Sequence, residues 1–550
     1  MKLTPFAKFF VTLVVLAVLG YVAYVRFSGR VRDWATEGCS REAPAAGSAT
    51  RAADPVSKGD FEALGRAPAD PARNATAAGV TVATVGGGRL ARPLVVGINT
   101  WAGHAPGIVF NRGLEPSERS LYSKQLGLAV KLVLLEDPAA KLAAFKKGDV
   151  DIMWDTVDNW AREASLLSES GVAAKSIILQ DWSRGGDGIV ALSSITSVEA
   201  LRGKTIACTQ FTPSHFLLLF LLSQSGLSSE ERAAIEKGLV FTQDAPAAAA
   251  MFKAKRVEAA VTWEPDLSGA VAARAGEAHV LISTAAATHV IADTLVARQE
   301  LIDQAPTSLQ AFVQGWLQGI ELLREDPTAS QLIVGEALKL DAETVSGMLS
   351  GLKLTPYADN AAFYGLSGGR SHFATLFDTA FIIWRKKGLV TRPVDAKDWV
   401  DTRFLQSLAP RYAGQQVVEP KLAAKAPSIK DRAIINKTIQ IHFTPGSDTI
   451  MEGSHFVLDA LGETMVAFGN TYLRVEGNTD ATGSAAVNLT LSQRRAVAVR
   501  DYLLREFPSL QAARFQTIGH GEQQPVASNE TEAGRQLNRR TDIKVILAAP

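Results

Sequence analysis

Val257-Glu258-Ala259-Ala260-Val261-Thr262-Trp263-Glu264-Pro265 is the stretch on which the architecture turns. Residues 259–262 read as a short strand, with Trp263 and Glu264 at its carboxyl end. The arrangement repeats outward in both directions. Short β-rich runs at 94–98, 130–135, 150–153, 176–179, 189–192, 204–208, 239–242, 280–282 and 294–297 are separated by longer amphipathic stretches. Helical patterns occupy 139–147, 159–168, 215–225 and 246–254. Such alternation argues for parallel sheets covered by helices. Beyond about residue 298 the chain reads as mostly helical to 408, and no repeat at solenoid spacing is visible.

At 550 residues the chain exceeds one ordinary core, so two or more domains are expected. A net charge of +1 with 21% charged residues offers no basic stripe, and no nucleic-acid partner is expected. Cys39 lies in a linker and Cys208 in an apolar strand pattern; neither a mutual disulfide nor a metal spacing follows. Residues 9–25 form a run without charge or proline, preceded by Lys2 and Lys8 and followed by Arg26, Arg30 and Arg32. About 17 residues is the short end of what spans a bilayer. Tyr21, Tyr24 and Arg26 stand where a signal-peptidase site would need small residues, so residues 1–40 are read as an uncleaved signal anchor, a transmembrane helix. A cleaved signal peptide is the competing reading. Thr36-Glu37-Gly38 is a poor approach to a lipoprotein site at Cys39. Residues 41–92, rich in Ala, Pro and Gly, cannot bury a core and read as a flexible linker; residues 409–437 read as a second.

Four stretches carry a family likeness. They are Val96-Gly97-Ile98-Asn99-Thr100-Trp101-Ala102-Gly103, Phe145-Lys146-Lys147-Gly148-Asp149-Val150-Asp151-Ile152, Leu201-Arg202-Gly203-Lys204-Thr205-Ile206-Ala207, and the stretch quoted first. In this order and spacing, residues 93–408 resemble type II periplasmic solute-binding proteins, the nitrate, sulfonate, taurine and thiamine-precursor receptors of ABC transporters. The resemblance implies an α/β fold of two lobes with a ligand between them. In open α/β sheets ligands sit beyond the carboxyl ends of strands. Reading those ends gives a candidate pocket of Asn99, Trp101, Thr156, Asp158, Ser183, Asp187, Thr212, Ser214, His215, Trp263 and Glu264. Residues 181–188 and 291–294 are the candidate crossings between lobes. The tryptophans equally suit core packing, the carboxylates suit loops or caps, and Ser214 or Thr212 suits a helix start. Ser214 beside His215 has no third partner at convincing spacing, so no enzyme is expected. Tryptophans with hydroxyls suit a small polar organic solute. The acidic residues disfavour a phosphate or sulfonate unless Arg184 or a helix N-terminus compensates. Family members bind both anions and neutral or cationic heterocycles, so the solute stays open.

The C-terminal stretch reads as a strand at 439–443, a helix at 455–467, a strand at 472–476, a helix at 492–505 and two more strands at 514–518 and 541–546. Its signature is Phe443-Thr444-Pro445-Gly446-Ser447, then Val475-Glu476-Gly477-Asn478-Thr479-Asp480, Gly483, Asn488, Leu491-Ser492 and Arg495-Ala496, closing with Gly519-His520-Gly521-Glu522 and Asn538-Arg539-Arg540. Residues 438–550 resemble the OmpA C-terminal family of peptidoglycan binders, a small α/β sandwich; Asn478 stands where the family usually carries His or another polar residue. The resemblance implies that Asp480 and Arg495 grip the ammonium and carboxylate of a diaminopimelate stem peptide, with Asn488, Leu491 and Arg540 shaping the groove. A purely structural Asp480–Arg495 bridge is the plain alternative. Together these readings describe an inner-membrane-anchored chain with periplasmic domains, no cofactor and no metal. Its partners are peptidoglycan, a small polar solute, the inner membrane and, if it serves an importer, an ABC permease. A sensor or scaffold using the same two domains is the alternative.

Overall fold

Runs of Val, Ile and Ala build sheets whose central strands are buried on both faces. The structure, a computed structural model, describes residues 82–390, 395–418, 427–428 and 431–547. The expected anchor at 1–40, Cys39 and the linker as far as 81 lie outside the described residues. Among the described residues no helix is long and apolar enough to cross a membrane.

The linker expected over 41–92 gives way to structure before its end. β1 (Thr84–Val85) and β2 (Arg89–Leu90) pair as a hairpin, because Gly87 and Gly88 take the left-handed turn at φ 78° and 70°. The hairpin docks on the Pro306–Glu325 helix, where Leu90 N donates to Ser308 Oγ at 2.9 Å. The first lobe then takes β3 (Leu94–Ile98), β4 (Val130–Leu134), β5 (Ile152–Thr156) and β6 (Ala174–Ser183). The chain crosses to the second lobe for β7 (Asp187–Leu192), β8 (Ile206–Thr209), β9 (Leu239–Thr242), β10 (Ala259–Trp263) and β11 (Ala278–Ser283). It returns for β12 (Ala292–Arg298) and β13 (Leu352–Leu354). The lobe sheets run β13-β6-β12-β5-β3-β4 and β11-β7-β10-β8-β9. β3 pairs in parallel with β4 and β5, and β8 with β9 and β10, as the alternation implies. β12 lies antiparallel to both neighbours because it re-enters its sheet from the other lobe.

The first crossing, residues 184–186, falls inside the expected stretch. The second occupies 284–291 and so begins earlier than its expected place at 291–294. At the first, Arg184 N and Gly186 N both donate to Gly351 O, at 2.8 and 2.9 Å. A Cβ on Gly186 would lie 2.5 Å from the Trp101 ring, so only glycine lets the crossing pass beneath that indole.

The C-terminal domain is a four-stranded sheet, β14 (Ile435–Ile439), β17 (Thr541–Leu547), β15 (Thr471–Asn478) and β16 (Phe515–Gly521), in that order. β14 starts inside the stretch expected to be the second linker and ends where a strand over 439–443 was expected to begin. Its partner β17 opens at Thr541, opposite Ile439, so the ladder stops there although apolar alternation continues through Ile441. The Ala485–Glu506 helix, capped by Ser484, lies directly on β15 and β16. A Cβ on Gly477 would sit 2.3 Å from Ser492 O, and one on Gly519 2.4 Å from Gln493 N. Those two glycines are what let helix and sheet close.

This domain docks on the lobes. The Pro213–Gln224 helix is apolar on all sides and buried along nearly its whole length, as a helix wrapped by neighbours must be. Its Phe220 ring lies 5.9 Å from Phe468, and Gln224 Oε1 accepts from Lys437 Nζ and Thr464 Oγ1, each at 3.0 Å. The second crossing is held as well: His289 N donates to Ala467 O at 3.1 Å and Asn470 Nδ2 to Ala285 O at 3.1 Å.

Gly477→Ala is expected to lower stability by about 1–3 kcal/mol, the usual cost of overpacking. Urea unfolding with tryptophan fluorescence and circular dichroism checks this, and an unshifted midpoint contradicts the helix-on-sheet contact.

Candidate functional site

A cavity of about 460 Å³ lies between the lobes, within the range of small-ligand pockets. Asn99, Trp101, Thr156, Asp187, Thr212, Trp263 and Glu264 line it, as expected from their places at strand ends. Asp158, Ser183, Ser214 and His215 do not line it; each is buried behind the wall. Ser183 Oγ donates to Asp187 Oδ2 at 2.6 Å and so orients that carboxylate. His215 is packed among Phe211, Phe241 and Trp384, and burial lowers it to about 4. Asp158 lies at the first turn of the Val157–Glu169 helix, where burial pushes its carboxyl up to about 8. Thr212 is the residue before the Pro213–Gln224 helix but makes no side-chain cap; its hydroxyl donates to Thr209 O at 2.8 Å.

Several lining residues were not foreseen. Trp154 lies in the middle of the fully buried β5, and its indole donates to Leu135 O at 3.0 Å. Asp293 is the second residue of β12, and Asn159, Phe211 and Met348 also line the cavity. Asp293 stands in the stretch read as a crossing, which signals a hinge rather than a ligand group. Met348 comes from the helical region, where sequence period marks only packing.

Beneath Trp154 sits a buried ionic cluster. Lys141 Nζ, wholly buried, lies 3.0 Å from Glu163 Oε2, 3.4 Å from Asp155 Oδ1 and 4.4 Å from the Trp154 ring centre. Burial works against the lysine charge, but Asp155 and Glu163 outweigh it and hold the ammonium above its ordinary value. In the same lobe Trp101 Nε1 reaches Asp181 at 3.3 Å. Burial raises Asp181 and Asp293 above the aspartate range, the neighbouring carboxylates adding to it, and raises Asp187 to about 6.

The second site is in the C-terminal domain. Arg495 lines a cavity of about 130 Å³ with Phe443, Asn478, Arg539 and Arg540. Its Nε donates to Ser447 O at 3.0 Å, and its guanidinium lies 4.7 Å over the Phe443 ring. Asp480 does not line this cavity; it is tied to a lining residue, Arg539, whose Nη1 lies 2.5 Å from Asp480 Oδ2. Burial works to raise the Asp480 carboxyl, yet the Thr482 amide and Arg539 outweigh it and hold it below its ordinary value. Arg540 lines the cavity but is tied to Asp542 Oδ2 at 3.1 Å and to Gln524 O at 3.0 Å. Asn488 is not a lining residue. It clamps the loop, donating to Asp480 O at 3.2 Å and Glu522 Oε2 at 2.7 Å. Leu491 is half-buried one helical turn before Arg495 and does not line the cavity either. Arg539 was not expected; its place beside Arg540 in the closing motif was the available signal.

Buried carboxyls in the cleft and behind its wall set a pH dependence. Asp158 is raised to about 8 and Asp187 to about 6, against about 4 for an unfolded aspartate. The folded chain therefore binds more protons, and this stabilisation is full at acid pH and lost as pH rises through the folded values. Buried His104 and His215, lowered to about 3 and about 4, act oppositely only below about pH 6.5, and Lys437, lowered to about 8, only above that value. Between about pH 6.5 and 8 the unliganded chain is expected to lose stability, with a shallower slope in Asp158→Asn. Urea midpoints across that window check this; a rising or flat trend contradicts it.

Comparison with known proteins divides the chain along the same line. The pattern described as NMT1/THI5 like matches residues 122–330, and that of the OmpA family matches residues 442–539. Outer membrane porin F of Pseudomonas aeruginosa is 36% identical over 112 residues, 20% of this chain and 32% of that protein. Peptidoglycan-binding protein ArfA of Mycobacterium tuberculosis is 29% identical over 149 residues, 27% of this chain and 44% of that protein. The chain thus spans about a third to a half of the length of the curated relatives it matches. The periplasmic aliphatic sulphonate binding protein SsuA of Escherichia coli aligns with a TM-score of 0.44 at 17% identity, covering 56% of this chain and 97% of that one. The chain thus joins a segment similar to the NMT1/THI5-like family, over residues 122–330, to one similar to the OmpA family, over residues 442–539.

Proposed function

We propose that this chain is a periplasmic receptor for a small polar solute, anchored in the inner membrane through residues 1–40 and held to peptidoglycan by residues 438–550. The cavity between the lobes carries the reading. Both sheets contribute to it at their strand ends, with Thr156 from β5, Thr209 from β8 and Trp263 from β10, and the two described crossings end beside it at Asp187 and Ile291. A solute held there touches both lobes at once, which is how a clamp converts binding into closure. An ABC permease is the partner that an importer role requires.

At the C-terminal site, Asp480 and Arg495 are the pair for a diaminopimelate side chain, whose ammonium and carboxylate need one fixed anion and one fixed cation. Arg539 occupies Asp480 in the free domain, so a stem-peptide ammonium takes the place of that guanidinium and leaves Arg539 beside the peptide carboxylate.

A second reading is favoured by one observation: the C-terminal domain holds the second crossing through Ala467 and Asn470. A receptor that only ferries solute needs no such contact. A sensor of solute and wall together does.

Asp480→Ala and Arg495→Ala in the full chain are each expected to reduce co-sedimentation with purified sacculi about tenfold or more, with the fold retained by circular dichroism. Undiminished binding by both variants refutes the assignment.

A further inference from the structure

The charge of the cleft narrows its ligand. Among the described residues, every charged side chain that lines the cavity is a carboxylate. Four of these are already committed. Asp137 and Asp244 cap helices at Ala140 N and Ala247 N, Glu136 accepts from Thr100, and Asp266 pairs with Lys253 at 3.3 Å. Asp187, Asp293 and Glu264 remain. Asp187 accepts only from the Ser183 hydroxyl and Glu264 from Ser268, while Asp293 faces another carboxyl, Asp181. None of the three forms an ion pair with a described cationic side chain.

The groups that would favour an anion are spent elsewhere. Arg184, from the first crossing, donates to His289 Nε2 at 3.0 Å and does not line the cavity. Lys141 is wholly buried between Asp155 and Glu163. Helix N-termini do open on the cleft, each equivalent to about half a positive charge. Two of them are neutralised by their own caps, Asp137 and Asp244; the ends at Thr156 and Pro265 make no side-chain cap but carry Asp158 and Asp266 in their first turns, and the Thr212–Pro213 end has neither. These partial charges do not balance a cluster of three carboxyls, two of them raised by burial and by neighbouring carboxyls, a setting that a cation relieves and an anion worsens.

The remaining surface suits an organic ion rather than a bare metal. Trp101, Trp154, Trp263 and Phe211 present aromatic rings to the cavity, and the described residues contain no group of three or more His, Cys, Asp or Glu placed to hold a metal ion. Aromatic faces attract organic cations, as Lys141 over the far face of Trp154 already illustrates. Thr156, 2% exposed, lines the same cavity.

We propose that the cleft takes a small organic cation. Its ammonium or amidinium group sits among Asp187, Asp293 and Glu264, and its apolar body lies against Trp101 and Trp263. This rests on the reading of the cleft as a solute site. The test uses the full chain in thermal-shift and calorimetric titrations. Choline, phenethylamine and agmatine are set against methanesulfonate, nitrate and taurine, all as sodium or chloride salts at equal ionic strength. At least one of the three cations is expected to raise Tm and the three others are not. Asp293→Asn and the more exposed Glu264→Gln are each expected to weaken that cation about tenfold. A shift by methanesulfonate, nitrate or taurine with none by the cations overturns the proposal and leaves the solute site standing. Cation binding undiminished in both variants also overturns it. No shift by any of the six overturns the solute site itself.

Discussion

The hydroxyl of Thr284 holds the two lobe crossings side by side. It accepts from the Gly185 amide at 2.9 Å and the Asp187 amide at 3.2 Å and meets the Ser183 hydroxyl at 2.9 Å. The Thr284 amide donates to Asp187 O at 2.8 Å. An apolar side chain there would strand two amides, at about 1–3 kcal/mol each. The same knot fixes the first residue of β7, so the orientation of Asp187 in the cleft and the separation of the lobes have one cause. Trp101 completes it from the first lobe, its indole lying over Gly186 and its Nε1 directed to Asp181.

Polar groups elsewhere are grouped rather than scattered. Lys141, Asp155, Glu163 and Asn159 share one buried network under Trp154, so the strand end that faces the cavity rests on charges balanced from behind. Breaking one member of such a set leaves an uncompensated charge, which costs more than the intact pair contributes. In the C-terminal domain the equivalent support is backbone packing. Gly477 and Gly519 bring the long helix against the sheet, and that closeness sets Arg495 over Phe443 at the sheet's edge.

What the sequence makes legible follows from where the physics is local. Asn99, Trp101, Trp263 and Glu264 could be found because ligand groups in α/β sheets follow strand ends, and strand ends show in a single window. The glycines of residues 185–186 mark the first crossing for the same reason. Asp293 could not be found this way, since its role depends on β12 returning from the other lobe beside β5 and β6. Ser183 and Asp158 were placed in the right region, but which side of the wall each occupies depends on packing that no single window contains. The start of β14 was misplaced because the alternation of Ile435, Ile439 and Ile441 runs past the end of its partner. Arg539 was hidden by a neighbour of the same type, and only the geometry separates the two.

The seam at Ala467 and Asn470 has a mechanical consequence. A lobe cannot rotate about its crossings without carrying the backbone of Ala285 and His289 with it, and both are bonded to the C-terminal domain. Either those bonds part with each excursion, or the whole domain swings with the pivot like a lever on its axle. In both cases a pull applied to the C-terminal domain arrives at the axle directly, as it does at the second lobe through the Pro213–Gln224 helix.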